Sequence, residues 1–205
     1  IVPELARQAS ELIVLQRTPN FSIPAWNGPI DPAHQQRWHQ NYPELRARAR
    51  ATRSGILYDY GTQSGVAMSD EARREEMERR WNKGGANFVH AFNDTFTNKA
   101  SNDFLAEFVR DKIRRTVRDP SVAETLSPRD HAIGTKRICV DSGYYETFNL
   151  PHVRLVDLRT DPVERFEGNS LVTTRSRYDI DAMVFATGFD AVTGALERLN
   201  LRGEQ

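Results

Sequence analysis

Strand-like sequence is confined to the two ends of this chain, and residues 31–130 between them read as helical. That separation constrains the fold more than any other feature, because a strand must find a neighbour for its backbone groups. Leu12-Ile13-Val14-Leu15-Gln16 is a short, nearly unbroken apolar run, the pattern of a strand buried on both faces. Residues 4–10 read as the end of a helix leading into it, and Arg17-Thr18-Pro19-Asn20 ends it. Further prolines and Gly28 keep the next stretch irregular. Strands return only after residue 130. Residues 153–156 form one. Residues 163–166 and 171–174 form a hairpin around Glu167-Gly168-Asn169-Ser170, and residues 182–186 read as a buried strand ending in Thr187-Gly188.

This order predicts an α/β fold: a Rossmann-like dinucleotide-binding domain with a mainly helical insertion. Its first part is residues 1–30, the insertion is 31–130, and the remainder is 131–205. Asp31-Pro32 starts a helix, with Asp as cap and Pro in the first turn. Ser69-Asp70-Glu71 starts another, acidic where the helix dipole favours negative charge. Glu75–Arg79 and Glu76–Arg80 are spaced to pair along it, and Gly84-Gly85 stops it. A third helix is expected over 101–118, with Phe104, Leu105, Phe108, Val109, Ile113 and Val117 on one face and Asp119-Pro120 at its end.

Composition narrows the function. Acidic and basic residues balance at 28 each, which gives no support to a general nucleic-acid or membrane-surface role. No apolar run approaches the ~18 residues of a membrane span, and no charged-then-apolar leader opens the chain. The opening Ile1-Val2-Pro3 lacks methionine, so the expectation is a sequence that begins inside a larger protein. A hydrophobic share of 39% is somewhat low, as for a domain with surface that another segment covers. The single Cys139 permits no intrachain disulfide and fits a reducing cytosol. Without a histidine-and-cation pattern around it, it is expected as a packed thiol. His34, His39, His90, His131 and His152 lack metal-ligand spacing, and no Gly-x-Ser-x-Gly or P-loop occurs.

Where a dinucleotide-binding strand ends, an acid favours NAD and a cation accommodates the 2′-phosphate of NADP. Arg17 follows the first strand with no acid at its end, and Thr18 adds a hydroxyl; an ordinary surface arginine is the plainer reading. The Gly-rich fingerprint that accompanies such a site does not occur. Gly134-Thr135-Lys136-Arg137 carries two adjacent cations in a loop, either an anion site or a solvated basic turn. The run Arg46, Arg48, Arg50 and Arg53 reads as a solvated helix face without interleaved aromatics. Tyr144 and Tyr145 suit either a pocket lining or the edge of a core. The small residues Ala186-Thr187-Gly188 allow close approach of a ligand or of another backbone.

In order and separation, four segments together resemble the type I Baeyer–Villiger monooxygenases. They are Leu15-Gln16-Arg17-Thr18-Pro19-Asn20-Phe21-Ser22-Ile23-Pro24, Gly134-Thr135-Lys136-Arg137, Asp141-Ser142-Gly143-Tyr144-Tyr145-Glu146-Thr147-Phe148-Asn149 and Val184-Phe185-Ala186-Thr187-Gly188-Phe189-Asp190. Trp81-Asn82-Lys83-Gly84-Gly85 adds a family-like W-x-x-G-G, so the likeness spans essentially the whole chain. The resemblance implies an FAD- and NADPH-dependent enzyme that uses O₂ to insert an oxygen atom beside a ketone carbonyl. It implies that Arg17, Thr18 and Lys136 bind the NADP 2′-phosphate, and that Arg137 stabilises negative charge on the oxygenated flavin and on the oxyanion from the ketone. Ala186, Thr187 and Gly188 would lie where the dinucleotide domain returns towards the flavin domain.

The family's flavin fingerprint, its histidine-and-tryptophan signature and the aspartate of its flavin domain are absent from these residues. The chain is therefore expected to be a central fragment, inactive alone, whose partners are the FAD domain of the same protein and a small ketone, with no nucleic acid or membrane. Two other readings stand beside this one: a related flavin monooxygenase acting on nitrogen or sulfur, and a non-enzymatic helical interaction module built on residues 31–130.

Overall fold

A computed structural model describes residues 1–188, 194–199 and 203. The chain divides into two units, Ile1–Thr160 and Asp161–Gln205. In the first, the short helix α1 (Val2–Ala6) leads into β1 (Leu12–Gln16), which pairs in parallel with β4 (Val153–Asp157). Leu12 lies opposite Val153 and Gln16 opposite Asp157. The two strands read from the ends of the sequence therefore meet, and the helical stretch supplies the long crossover that a parallel pair requires. β1 is less enclosed than its apolar run predicts. Only Gln16 is buried, because β4 is its one partner among the described residues. The Gln16 amide donates to the Thr125 carbonyl at 2.9 Å, which accounts for a polar side chain at that depth.

A second parallel pair joins β2 (Ser22–Pro24) to β3 (Cys139–Asp141), with Ser22 opposite Cys139. Sequence reading gave only irregular chain at residues 22–24. Cys139 is exposed on this pair, not packed as expected; β3 pairs on one side only among the described residues, which leaves the thiol facing outward.

Between these strands run α2 (Pro32–Gln40), α3 (Tyr42–Arg50), α4 (Asp70–Lys83), α5 (Lys99–Thr116) and α6 (Pro120–Leu126), followed after β3 by the single turn α7 (Tyr144–Thr147). Asp31 caps α2 by accepting from the amides of Ala33 and His34, and Ser69 caps α4 through Ala72. Gly84 ends α4 at φ +72°, where a Cβ would lie 2.7 Å from the Pro24 carbonyl oxygen. Asp119-Pro120 proves to be a start: Asp119 caps α6 through Ser121 and Val122. Leu105, Val109 and Ile113 of α5 are fully buried and join Phe21, Ile23, Phe88, Leu126 and Ile133 in one core. The apolar face of α5 is thus spent on internal packing and does not offer the partner surface that an interaction module would need. α2 and α3 have no buried residue.

The second unit is an antiparallel sheet of β5 (Val163–Glu167), β6 (Ser170–Thr173) and β7 (Arg177–Asp179), with a short helix α8 (Gly194–Glu197). β5 and β6 form the expected hairpin, and Gly168 takes the positive φ its turn needs. The strand expected over 182–186 is not formed. Residues 182–188 have no regular structure, no described strand pairs with them, and Val184 and Phe185 are 53% and 68% exposed. An apolar run without a ladder partner cannot become a strand, whatever its propensity. The fold is α/β with a mainly helical insertion.

Candidate functional site

The carboxyl ends of β1 and β4 lie side by side, and in parallel sheets ligands bind at that edge. The Leu158 amide donates to the Gln16 carbonyl at 2.9 Å and ties the two ends together. Their charges are arranged differently. Asp157, which ends β4, accepts from Arg159 at 2.9 Å, and this hydrogen bond holds its carboxyl below the usual range. Arg17, which follows β1, is exposed and makes no ion pair with any described residue. Thr18 beside it is half-buried and Pro19 is buried, so the backbone under Arg17 is fixed while its side chain stays available.

Gly134 and Thr135 close a tight turn that starts at Ala132, and Lys136 and Arg137 follow it. The amide and hydroxyl of Thr135 both donate to the Ala132 carbonyl, at 3.2 and 2.8 Å. Gly134 has φ +89°, and a Cβ there would stand 2.5 Å from Cε1 of Phe96, so glycine suits this position on two counts. Lys136 and Arg137 are exposed, and neither side chain is paired with a described residue. Lys136 is one of the charges holding the Asp130 carboxyl low, behind the larger effect of the hydrogen bond from His131.

Asn20 joins the two loops. Its Nδ2 donates to the Arg137 carbonyl at 2.9 Å, and its Oδ1 accepts from the Phe21 amide at 2.9 Å. His131 Nε2 lies 3.3 Å from the same oxygen, while its Nδ1 lies 2.7 Å from Asp130 Oδ1. The structure thus ties the segment that follows Arg17 and Thr18 to the Arg137 backbone. Sequence reasoning missed Asn20 and His131; an amide four residues past a strand carries no signal of a partner 117 positions away.

Tyr144 and Tyr145 resolve towards the core edge. Tyr145 is buried and its hydroxyl accepts from the Ser22 amide at 3.1 Å, with burial pushing its phenol up. Burial also pushes the Tyr144 phenol up, to about 12, helped by Cys139 and Asp141. Asp141 accepts from the Tyr144 amide at 2.8 Å and from the Ser22 hydroxyl, locking α7 to the β2–β3 pair. Trp81 of the W-x-x-G-G segment packs edge-on against Phe88 and Phe108, a structural role.

Ala186, Thr187 and Gly188 belong to the second unit, where they are exposed and irregular, with Gly188 at φ +86°. Phe189 and Asp190 of the same segment lie outside the described residues. Among the described residues no group of His, Cys, Asp and Glu is placed to hold a metal, and no helix is long and apolar enough to cross a membrane.

No protein-family model matches the chain. Among characterised proteins it is 38% identical over 205 residues to 2-oxo-Δ³-4,5,5-trimethylcyclopentenylacetyl-CoA monooxygenase of Pseudomonas putida, covering 100% of this chain and 38% of that protein. Against cyclopentanone 1,2-monooxygenase of Comamonas sp. it is 36% identical, with the same coverage. It is 32% identical to the phenazine N-monooxygenase PhzNO1 of Lysobacter antibioticus over 97% of this chain and 37% of that one. Among solved structures, OTEMO in complex with FAD and NADP superposes with TM-score 0.95 at 38% identity, over 100% of this chain and 38% of that chain. Oxidized steroid monooxygenase bound to NADP superposes with TM-score 0.90 at 47% identity, over 96% and 38%. The chain therefore spans about 38% of the length of the relatives it matches.

Proposed function

We propose that this chain, which corresponds along its whole length to part of the Baeyer–Villiger monooxygenases, supplies the NADPH-recognising part of an enzyme that inserts an oxygen atom from O₂ beside a ketone carbonyl, giving an ester or lactone. Bound NADPH supplies reducing equivalents and FAD activates the oxygen. The observation that carries the reading is Arg17, exposed just past the carboxyl end of β1 and without an ion pair among the described residues, with the exposed Lys136 in a loop tied through Asn20 to the segment that follows that strand. A cation there with no ion-pair partner among the described residues, beside an Asp157 that is already engaged by Arg159, suits a 2′-phosphate.

In this reading Arg17 offers its planar fork and Lys136 a point charge to the phosphate, while the Thr18 hydroxyl donates a further hydrogen bond. Arg137 presents a fixed cation where negative charge develops on oxygen, a contribution of roughly 3–4 kcal/mol for one such donor. The small residues Ala186, Thr187 and Gly188 permit close approach of a cofactor. Residues 1–30 and 131–205 are assigned to one NADP-binding domain, with 31–130 inserted. The chain has no G-x-G-x-x-G, so no flavin contact is assigned to its residues, and a separate FAD domain of the same protein is proposed to hold that cofactor. A reducing compartment such as the cytosol suits its lone, exposed thiol.

N-oxidation is the second reading, favoured by the likeness to the phenazine N-monooxygenase. The test of NADPH recognition uses the flavin-loaded protein at its natural length. Arg17→Ala and Lys136→Ala should each raise KM for NADPH ~10-fold or more while leaving KM for NADH nearly unchanged, since each removes a charged contact to a group NADH lacks. Unchanged NADPH-over-NADH preference in both variants would overturn this assignment.

A further inference from the structure

We infer that Asn20 is a positioning residue for the nucleotide site: its side-chain amide sets the separation between the Arg17–Thr18 strand end and the Lys136–Arg137 segment. The inference rests on the NADPH reading of those four residues and names what holds them in register.

The orientation of the amide follows from its partners. A backbone N–H can only donate, so the Asn20 atom 2.9 Å from the Phe21 amide is the oxygen. The nitrogen then faces the other loop, where its two protons go to the Arg137 carbonyl at 2.9 Å and to Cys139 Sγ at 3.5 Å. His131 Nε2 lies 3.3 Å from Oδ1 and can donate to it while Nδ1 donates to Asp130 only when the ring carries a proton on both nitrogens. The His131 ring is itself held between Asp130 and an edge-on contact with the buried Phe21 ring, 5.5 Å between centroids. Every part of the link is thereby anchored: Phe21 in the core, Asn20 on the Phe21 backbone, and the Arg137 carbonyl on Asn20.

No regular ladder performs this task. The β2–β3 pairing begins only at Ser22 and Cys139, and the one backbone bond ahead of it runs from the Cys139 amide to the Phe21 carbonyl at 3.2 Å. Lys136 and Arg137 precede that bond and follow a turn whose own hydrogen bonds run from Thr135 to Ala132. The Arg137 carbonyl would otherwise be free to rotate, and the two side chains with it. A site that grips one phosphate between cations from two loops needs those loops at a fixed separation, because misplacement by about an ångström forfeits binding out of proportion to its size.

The experiment compares Asn20→Asp, His131→Phe and Arg17→Ala in the flavin-loaded protein at its natural length, measuring thermal midpoint and kcat/KM with NADPH and with NADH. Asn20→Asp keeps the acceptor for the Phe21 amide and removes both donors. It should lower the NADPH-over-NADH preference ~5-fold, the value of one hydrogen bond, with the NADH rate kept. His131→Phe keeps the ring contact with Phe21 and removes the imidazole's contacts with both Asn20 Oδ1 and Asp130 Oδ1, so it should give a smaller change in the same direction. Arg17→Ala separates the two claims. If it abolishes the preference while Asn20→Asp leaves it unchanged, the positioning role is wrong and the NADPH site stands. If Arg17→Ala has no effect on the preference, the NADPH reading has failed first. An Asn20→Asp protein that loses activity with both nucleotides equally, alongside a lowered midpoint, also overturns the positioning role, because it marks Asn20 as merely structural.

Discussion

Replacing Arg80 by methionine should loosen one segment of the helical insertion. Arg80 is 1% exposed and sits on the inner face of α4. Its Nη1 donates to the carbonyls of Asp59 at 2.6 Å and Asn87 at 2.8 Å, and its Nε donates to Glu76 at 2.5 Å. The chain around Asp59 has no helix or strand of its own, so these carbonyls depend on a side chain for their partners. Methionine fills a similar volume and donates nothing. Glu76 is not stranded, because Arg79 still donates to it at 2.7 and 2.8 Å. The loss is then two charge-assisted bonds to partly buried carbonyls, partly offset by the relief of burying no charge, which leaves roughly 3 kcal/mol. If the segment opens locally, that corresponds to a fall of more than about a hundredfold in hydrogen-exchange protection. The reporting amide is Gly61, which donates to the His90 carbonyl at 2.8 Å and bridges the two carbonyl-bearing segments. Arg80→Lys, with its charge kept and a shorter reach, should lose about half as much. A change in Gly61 protection below about fivefold in Arg80→Met, equivalent to less than ~1 kcal/mol, would refute the assignment of Arg80 as the hub.

Gly61→Ala should be costly for a different reason: a Cβ there would stand 2.0 Å from the Ala91 carbonyl oxygen, a backbone atom that cannot swing away. Its thermal midpoint should fall by several degrees, and a wild-type midpoint would contradict the close approach. Tyr145→Phe removes the acceptor of the buried Ser22 amide and should destabilise by ~1–3 kcal/mol in denaturant unfolding. Acid should weaken the fold through Glu76, whose carboxyl is held below its ordinary 4.5 first by the hydrogen bond from Arg79 and further by Arg80. A depressed folded-state value stabilises above the ordinary value and is lost as pH falls through the lowered one. The wild-type midpoint should therefore drop more steeply below about pH 4.5 than that of Glu76→Gln.

Much of the fold was legible where local chemistry and tertiary demand agree. Residues 12–16 and 153–156 read as strands and pair with each other, and the apolar face predicted for residues 101–118 is the one α5 buries. Asp119-Pro120 misled because an Asp-Pro step both forbids the preceding residue a helical geometry and caps the next helix; the structure uses it for the second purpose. The β2–β3 pair was illegible because three residues bounded by prolines carry no period, and its register comes from long-range contacts such as Tyr145 on Ser22. Residues 182–186 have the composition of a strand, but composition does not supply a pairing partner. At the candidate site the cations were readable as types. The tie between their two segments was not, because it depends on Asn20 meeting a carbonyl 117 positions away. Arg79 likewise pairs with Glu76 and Asp59 where the four-residue spacing pointed to Glu75.

Oxygen insertion is tested most directly by isotope labelling. The flavin-loaded protein at its natural length would be given NADPH and cyclopentanone, the ketone named for the Comamonas relative, under ¹⁸O₂, and the products weighed by mass spectrometry. The account predicts a lactone carrying one ¹⁸O atom, with one NADPH consumed for each lactone formed. Consumption of NADPH with no labelled lactone from any of a panel of ketones, together with a labelled N-oxide from an aromatic amine heterocycle, would contradict it and move the protein to the nitrogen-oxidising reading.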